Sequence, residues 1–178
     1  MRIPEDLQIL SIQGGATLRY LTVIRALFQE YAAGLGFDLE FQDFQRELDE
    51  LPGEYAPPQG RLFLALCKGN PAGCIALRPL APRVCELKRL FVRPASRGRG
   101  IGSALAERLI REAGSMGYTA MRLDSIVTME AALRLYRAFG FEEIPPYCYN
   151  PIPGAVYLEL DLARFSTPGG TIDKANRP

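Results

Sequence analysis

The chain has 178 residues, a formal charge of +1, 48% apolar and 23% charged side chains. That is enough for one domain with a full hydrophobic core, and the balance is that of a soluble folded protein. Near-neutral charge argues against a nucleic-acid partner held by a global basic field, and the absence of histidine removes Ser-His-Asp and Cys-His nucleophile schemes together with every His-containing zinc site.

The opening Met1-Arg2-Ile3-Pro4-Glu5-Asp6 carries acids and proline where a signal peptide would carry an apolar stretch. No apolar run approaches the roughly 20 residues that cross a bilayer. The expectation is a cytoplasmic protein with no membrane contact. Cys67, Cys74, Cys85 and Cys148 include no CxxC pair, and the first three lie in apolar runs. They read as buried, reduced thiols, with no metal expected; a zinc site or redox pair is the alternative.

Residues 7–13 alternate as a first strand. A helix follows over 17–35, with Leu21, Ile24, Phe28, Tyr31 and Leu35 on one stripe and Gly34 and Gly36 as its stop. A shorter, acidic helix over 43–51 leads into a Pro- and Gly-rich loop at 52–60. Strands over 62–67 and 73–78 flank Lys68-Gly69-Asn70-Pro71, which has turn chemistry. A longer strand over 84–92 ends before Pro94. The next helix, 100–116, buries Ile101, Leu105, Leu109 and Ala113 and stops at Gly117. A strand over 120–127, a helix over 130–139 closed by Gly140, and strands over 141–144 and 155–160 complete the domain. The polar tail from Ser166 is expected to be disordered, which leaves residues 1–165 as one domain. The order β-α-α-β-β-β-α-β-α-β-β predicts a mixed α/β (α+β) architecture, a single sheet covered by helices.

The segment Arg97-Gly98-Arg99-Gly100-Ile101-Gly102-Ser103 stands between a strand and a helix. The helix N-terminus leaves backbone N–H groups unpaired, and glycines let a ligand approach them closely. The arrangement suits a phosphate or pyrophosphate. A charge-assisted hydrogen bond contributes about 1.5–3 kcal/mol against about 0.3–1 for the helix dipole, so the amides and arginines would dominate. The GxxxxGK[ST] lysine is missing and the spacing is not GxGxxG, which disfavours ATP and NAD.

Arg97, Gly100 and Gly102 match the [RQ]-x-x-G-x-[GA] pattern of the GNAT acetyltransferase superfamily, which the chain resembles in element order over about residues 7–160. The resemblance implies a mostly antiparallel central sheet of six or seven strands flanked by about four helices. It implies acetyl-CoA as cosubstrate, its pyrophosphate on residues 97–103 and its pantetheine arm along Leu90, Phe91 and Val92. The run Ala132-Leu133-Arg134-Leu135-Tyr136-Arg137-Ala138-Phe139-Gly140-Phe141 is similar to the family's A-x-x-LY-x-x-x-GF segment. It places Tyr136 where members have the tyrosine that protonates the departing thiolate. Met129 departs from the family's asparagine seven residues before that tyrosine, which puts one polar contact to CoA in doubt.

The implied reaction is attack of a primary amine, from a small molecule or amino acid, on the acetyl thioester. Glu86 on the strand over 84–92 is the candidate base; its rival role is an ion pair with Lys88 or Arg89, since Glu86 and Lys88 share a strand face. The acceptor site is expected from residues 38–55 and 145–154, with the acids Asp38, Glu40, Asp43, Glu47 and Glu54 near it and Tyr149 and Asn150 in contact with substrate. Acetylation of a protein N-terminus or lysine, and a non-catalytic acyl-CoA-binding module, are the alternatives. The acyl chain preference and the oligomeric state, a homodimer among the options, stay open.

Overall fold

The structure, a computed structural model, describes residues 3–163; the tail from Ser166 lies outside the described residues. Seven strands form a sheet in the order β1-β2-β3-β4-β5-β7-β6. They are β1 (Leu7–Ser11), β2 (Arg61–Cys67), β3 (Asn70–Ala81), β4 (Val84–Val92), β5 (Ala120–Ile126), β6 (Glu142–Glu143) and β7 (Ala155–Asp161). The helices among the described residues are α1 (Leu21–Ala33), α2 (Phe44–Glu50), α3 (Ile101–Ser115) and α4 (Glu130–Ala138), with short 3-10 turns between. The mostly antiparallel mixed sheet is thus present. The chain divides into two compact units, Met1–Pro79 with Leu87–Leu109, and Leu80–Glu86 with Ile110–Pro178. The covalent chain of β4 and α3 passes from one to the other.

In the first unit β1 pairs antiparallel with β2 from Leu7↔Cys67 to Ser11↔Phe63, and β2 with β3 from Arg61↔Leu77 to Cys67↔Asn70. The β2–β3 turn is tighter than its sequence suggests. Lys68 and Gly69 both have positive φ, 51° and 76°, which closes a two-residue hairpin and frees Asn70 and Pro71 to begin β3. The pairing register shifts between Ala65 and Leu66, where Pro71 stands opposite; proline has no N–H to give the ladder.

Leu62, Leu64 and Leu66 point to one face of β2 and pack with Ile24, Leu27 and Phe28 of α1 and Leu48 of α2. Phe63 and Ala65, on the other face by strand alternation, are fully buried too, and the Arg108 guanidinium of α3 lies 5.4 Å from the Phe63 ring. Strand β2 is therefore covered on both sides, which explains its unbroken apolar run. On β3, a Cβ added to Gly73 would stand 2.4 Å from the Phe91 carbonyl oxygen of β4, so the close approach of these backbones needs glycine. The helix expected over 17–35 is shorter: residues 15–20 form a 3-10 turn, fastened by Thr17 Oγ1 donating to the Gly14 carbonyl at 2.7 Å, and Gly34 caps α1.

In the second unit the start of β4 pairs parallel with β5 through Val84↔Ala120, Cys85↔Met121 and Glu86↔Arg122. Strand β7 pairs antiparallel with β5 from Ala120↔Asp161 to Ile126↔Ala155. The strand expected over 141–144 shrinks to Glu142–Glu143, which pairs with β7; Ile144 N still donates to the Tyr157 carbonyl at 2.9 Å, and Pro145 and Pro146 then stop the ladder. Gly117 and Gly140, at φ 89° and 91°, stand where α3 and α4 were expected to close. Met121, Leu123, Leu158 and Leu160 are buried, and by alternation they share one face of β5 and β7 with Cys85 of β4. Burial pushes the Cys85 thiol up to about 12 and the Cys74 thiol of the first unit higher still, so neither is a nucleophile.

Candidate active site

Strand β4 ends at Val92, and residues 94–96 form one 3-10 turn. Arg97 follows, its Nε donating to the Val92 carbonyl at 2.9 Å. Gly98 and Gly100 have φ of 71° and 74°, and Arg99 between them does not share the positive region. Alternation of this kind turns successive N–H groups toward one concave side, an anion-binding arrangement. Helix α3 then begins, with Ala104 N donating to the Gly100 carbonyl at 3.0 Å. The first-turn amides of Ile101, Gly102 and Ser103 belong to the helix end that has no intrahelical acceptor. Ile101 is buried at 1% exposure and anchors that end in the core, while Arg97 and Arg99 are exposed. A rigid helix start beneath an open backbone turn fits a pyrophosphate.

Immediately before the segment Leu90–Val92 the strand departs from regular geometry. Arg89 has φ 56°, rare for a non-glycine residue and a mark of local departure from the ladder. Its guanidinium is bidentate to Glu47 of α2, with Nε to Oε1 at 2.9 Å and Nη2 to Oε2 as the second contact. The Phe44 and Tyr31 rings lie 5.0 and 5.8 Å from it. Tyr55 donates to the same carboxylate at 2.7 Å. Burial raises the Glu47 carboxyl, but the Arg89 hydrogen bond and charge, with the Tyr55 hydroxyl, outweigh it and hold the group below its ordinary value.

Of the two rival partners expected for Glu86, Arg89 is engaged by Glu47. Among the acids expected around the acceptor, Glu54 pairs with Arg78 at 2.8 Å, Asp43 lies 3.8 Å from Arg46, Asp38 accepts from the Glu40 amide, and Glu47 is the partner of Arg89. Sequence composition shows an acidic helix; it does not show which acids have a cation waiting in the fold.

The second unit assembles a polar face by register alone. Glu86 of β4 stands beside Arg122 of β5, Arg122 beside Glu159 of β7, and Asp124 beside Tyr157. Paired residues share a face, and so do residues two apart on one strand. Arg122 donates to Glu159 at 2.6 Å. The loop after β6 closes on this face through two carboxylates: Tyr147 Oη donates to Glu86 Oε1 at 2.8 Å, and Asn150 Nδ2 donates to Asp124 Oδ2 at 2.8 Å. The Asn150 side-chain oxygen also accepts from the Ile152 amide at 3.0 Å, which tightens the loop. Glu86 is 1% exposed. Glu86, Asp124 and Cys148 offer donor atoms within 4.8 Å of one another, a spacing that a divalent cation fits, but both carboxylates already hold the loop.

Of the residues marked in the sequence, Glu86 and Asn150 meet on this face. Tyr149 does not; it is 77% exposed. The neighbour that reaches in is Tyr147, and sequence reasoning missed it together with Asp124. The available signal was the polar alternation Arg122/Asp124 on β5 and Tyr157/Glu159 on β7, a strand face too polar for a core. Tyr136 of α4 is buried at 6%, its ring 5.6 Å from that of Phe141. Met129 is the N-cap of α4 and supplies no side-chain cap; the Ser125 hydroxyl donates to its sulfur at 3.7 Å.

The model of the acetyltransferase (GNAT) family matches residues 23–141. The chain belongs to the GNAT acetyltransferase family. This GNAT enzyme, an acyltransferase, is 41% identical over 142 residues to a protein described as an uncharacterised N-acetyltransferase of Schizosaccharomyces pombe, covering 79% of this chain and 87% of that one. Its fold is similar to a GNAT-family acetyltransferase of Staphylococcus aureus, with TM-score 0.67, 22% identity, and 87% and 99% of the two chains covered. It is also similar to an N-acetyltransferase of Thermoplasma acidophilum solved in complex with coenzyme A, with TM-score 0.63, 14% identity, and 87% and 98% covered. Among the described residues no helix is long and apolar enough to cross a membrane.

Proposed function

We propose that this GNAT enzyme transfers the acetyl group of acetyl-CoA to a primary amine of a small molecule or amino acid by direct attack, with residues 1–165 acting as one domain in the cytoplasm. The observation that carries the proposal is the turn at Gly98–Gly100, whose alternating backbone leads into the free amides of α3. Those amides, with Arg97 and Arg99, would hold the pyrophosphate, and the backbone of Leu90, Phe91 and Val92 the pantetheine arm. The coenzyme A bound to the Thermoplasma acidophilum relative supports an acyl-CoA donor.

An aliphatic ammonium titrates near ~10 and must lose a proton before it attacks. Glu86 takes that proton, directly or through a water. The amine nitrogen then bonds to the thioester carbon, and a backbone N–H near Phe91 stabilises the oxyanion. As the carbonyl re-forms, the C–S bond breaks, its electron pair leaves on sulfur, and the Tyr136 hydroxyl protonates the thiolate. A thiolate is a tolerable leaving group, so Tyr136→Phe should slow the reaction rather than abolish it. The burial of Glu86 favours a slender amine that reaches the base alone or through water.

The test is thermal shift with acetyl-CoA, CoA, ATP and NAD on the wild type and Gly100→Asp, followed by CoA release with a panel of primary amines. The φ of 74° at Gly100 makes any side chain strained there, so the readout is the ligand-induced shift and not Tm itself. A shift specific to acetyl-CoA and CoA, lost in the variant, supports the assignment. No shift at saturating acetyl-CoA overturns it. A shift without amine-dependent CoA release would mean an acyl-CoA-binding module, and release with peptides alone would mean a protein acceptor.

A further inference from the structure

The loop after β6 places a phenol where the proposed chemistry needs a carboxylate of fixed orientation. Pro145 and Pro146, with φ locked by their rings, deliver Tyr147 onto the polar face. The Arg122 guanidinium lies 5.5 Å from the Tyr147 ring and is itself bonded to Glu159. The Tyr157 ring meets the Tyr147 ring nearly edge-on, centroids 5.7 Å apart. Asn150 fastens the far side of the loop to Asp124. These contacts leave the ring little freedom, and its hydroxyl ends 2.8 Å from Glu86 Oε1. A ring placed for packing would need no hydroxyl there.

We propose that Tyr147 is a positioning residue for the reaction: its hydroxyl, donated to Glu86 Oε1, fixes the orientation of the carboxylate that takes the acceptor's proton. The inference rests on the reading of Glu86 as the base. The groups facing this pair include Arg122 and Asp124 from β5, Tyr157 and Glu159 from β7, and Cys148 from the loop, with Lys88 two residues along β4 from Glu86. Burial, and after it the negative charges of Glu86 and Asp124, raise the Tyr147 phenol well above its ordinary value. The phenol therefore keeps its proton across the neutral range and acts as the donor of this bond. Orientation matters because a proton acceptor displaced by about 1 Å can cost roughly 100-fold in rate.

Tyr147→Phe removes the hydroxyl and keeps the ring contacts with Arg122 and Tyr157, so the variant should fold with a Tm near wild type. Carbon-13 NMR of glutamate-labelled protein, with the Glu86 carboxyl assigned through Glu86→Gln, observes that group without an acceptor. In Tyr147→Phe its resonance should move, since the carboxylate loses the donor that fixes its orientation. In parallel, kcat/KM for amine-dependent CoA release should fall about 10- to 100-fold, as loss of a supporting partner of a functional group commonly does. The KM for acetyl-CoA should stay unchanged. An unmoved resonance overturns the proposal, because the hydroxyl then does not act on Glu86. A moved resonance together with wild-type turnover in Glu86→Gln overturns the base reading on which the proposal rests, so the two failures are told apart.

Discussion

Arg89 and Glu86 stand three residues apart on β4, 4% and 1% exposed, and the fold satisfies them in different ways. Arg89 receives a full counter-charge in bidentate geometry, a phenol on the same carboxylate, and aromatic rings at 5.0 and 5.8 Å. Glu86 accepts a hydrogen bond from a neutral phenol on a polar sheet face shared with Asp124. A buried charge matched by its opposite is committed to structure, because removing either partner strands the other in a poorly solvating interior. A buried carboxylate that accepts from a phenol is held in one orientation, and orientation is what the proposed general-base role of Glu86 asks.

Substitution at each place should therefore fail in a different currency. The largest effect is expected at Glu86→Gln, which should lower kcat/KM for amine-dependent CoA release about 10²- to 10⁴-fold while the urea midpoint stays near wild type. A large fall in the midpoint with a small kinetic loss would reverse the comparison. Glu47→Ala should destabilise by about 3–5 kcal/mol, since it leaves the Arg89 guanidinium buried and unmatched. Urea unfolding would read that loss, and Glu47→Leu combined with Arg89→Met should recover most of it. If the double variant is no better than the single one, the pair is more than a structural post.

Acid sharpens the same contrast. The Glu47 carboxyl is held below its ordinary value of 4.5 in the folded protein. Its stabilising contribution is thus fully present above 4.5 and is lost as pH falls through the lowered folded value. Stability measured from pH 7 downward should fall more steeply below 4.5 in the wild type than in Glu47→Gln. Equal slopes would show that Glu47 titrates alike in both states. The smallest effect belongs to the exposed tyrosine: Tyr149→Ala should change stability by no more than about 0.5 kcal/mol. A large rise in the KM for the amine in Tyr149→Ala would restore Tyr149 as a substrate contact despite its exposure.

Element order and type were legible because they depend on local pattern. The stripe Ile101, Leu105, Leu109 and Ala113 predicted α3, and all four are buried. The apolar runs of β2 and β3 predicted strands, and the glycine turn after Val92 was visible as a break between a strand and a helix. Boundaries failed where a neighbour decided them. The β2–β3 hairpin tightened to Lys68 and Gly69, and β6 was cut to two residues by the prolines behind it. The site was read less completely. Glu86 was picked from its place on β4, yet its partner Tyr147 came from a loop 61 residues away, and in the run from Tyr147 to Asn150 the sequence marked Tyr149, which is exposed, and not Tyr147.

By itself, then, the sequence determined the succession of strands and helices and the GNAT-like turn. These are encoded in spacing along the chain, where periodicity and glycine placement act over a few residues. Tertiary structure alone decided which charges were spent and which were kept: Arg89 took Glu47 across 42 residues, and strand register set Glu86, Arg122, Asp124, Tyr157 and Glu159 on one face. The reason is physical. A charge's role depends on what lies within hydrogen-bond reach once water is removed, and that neighbourhood comes into being only when the chain has folded.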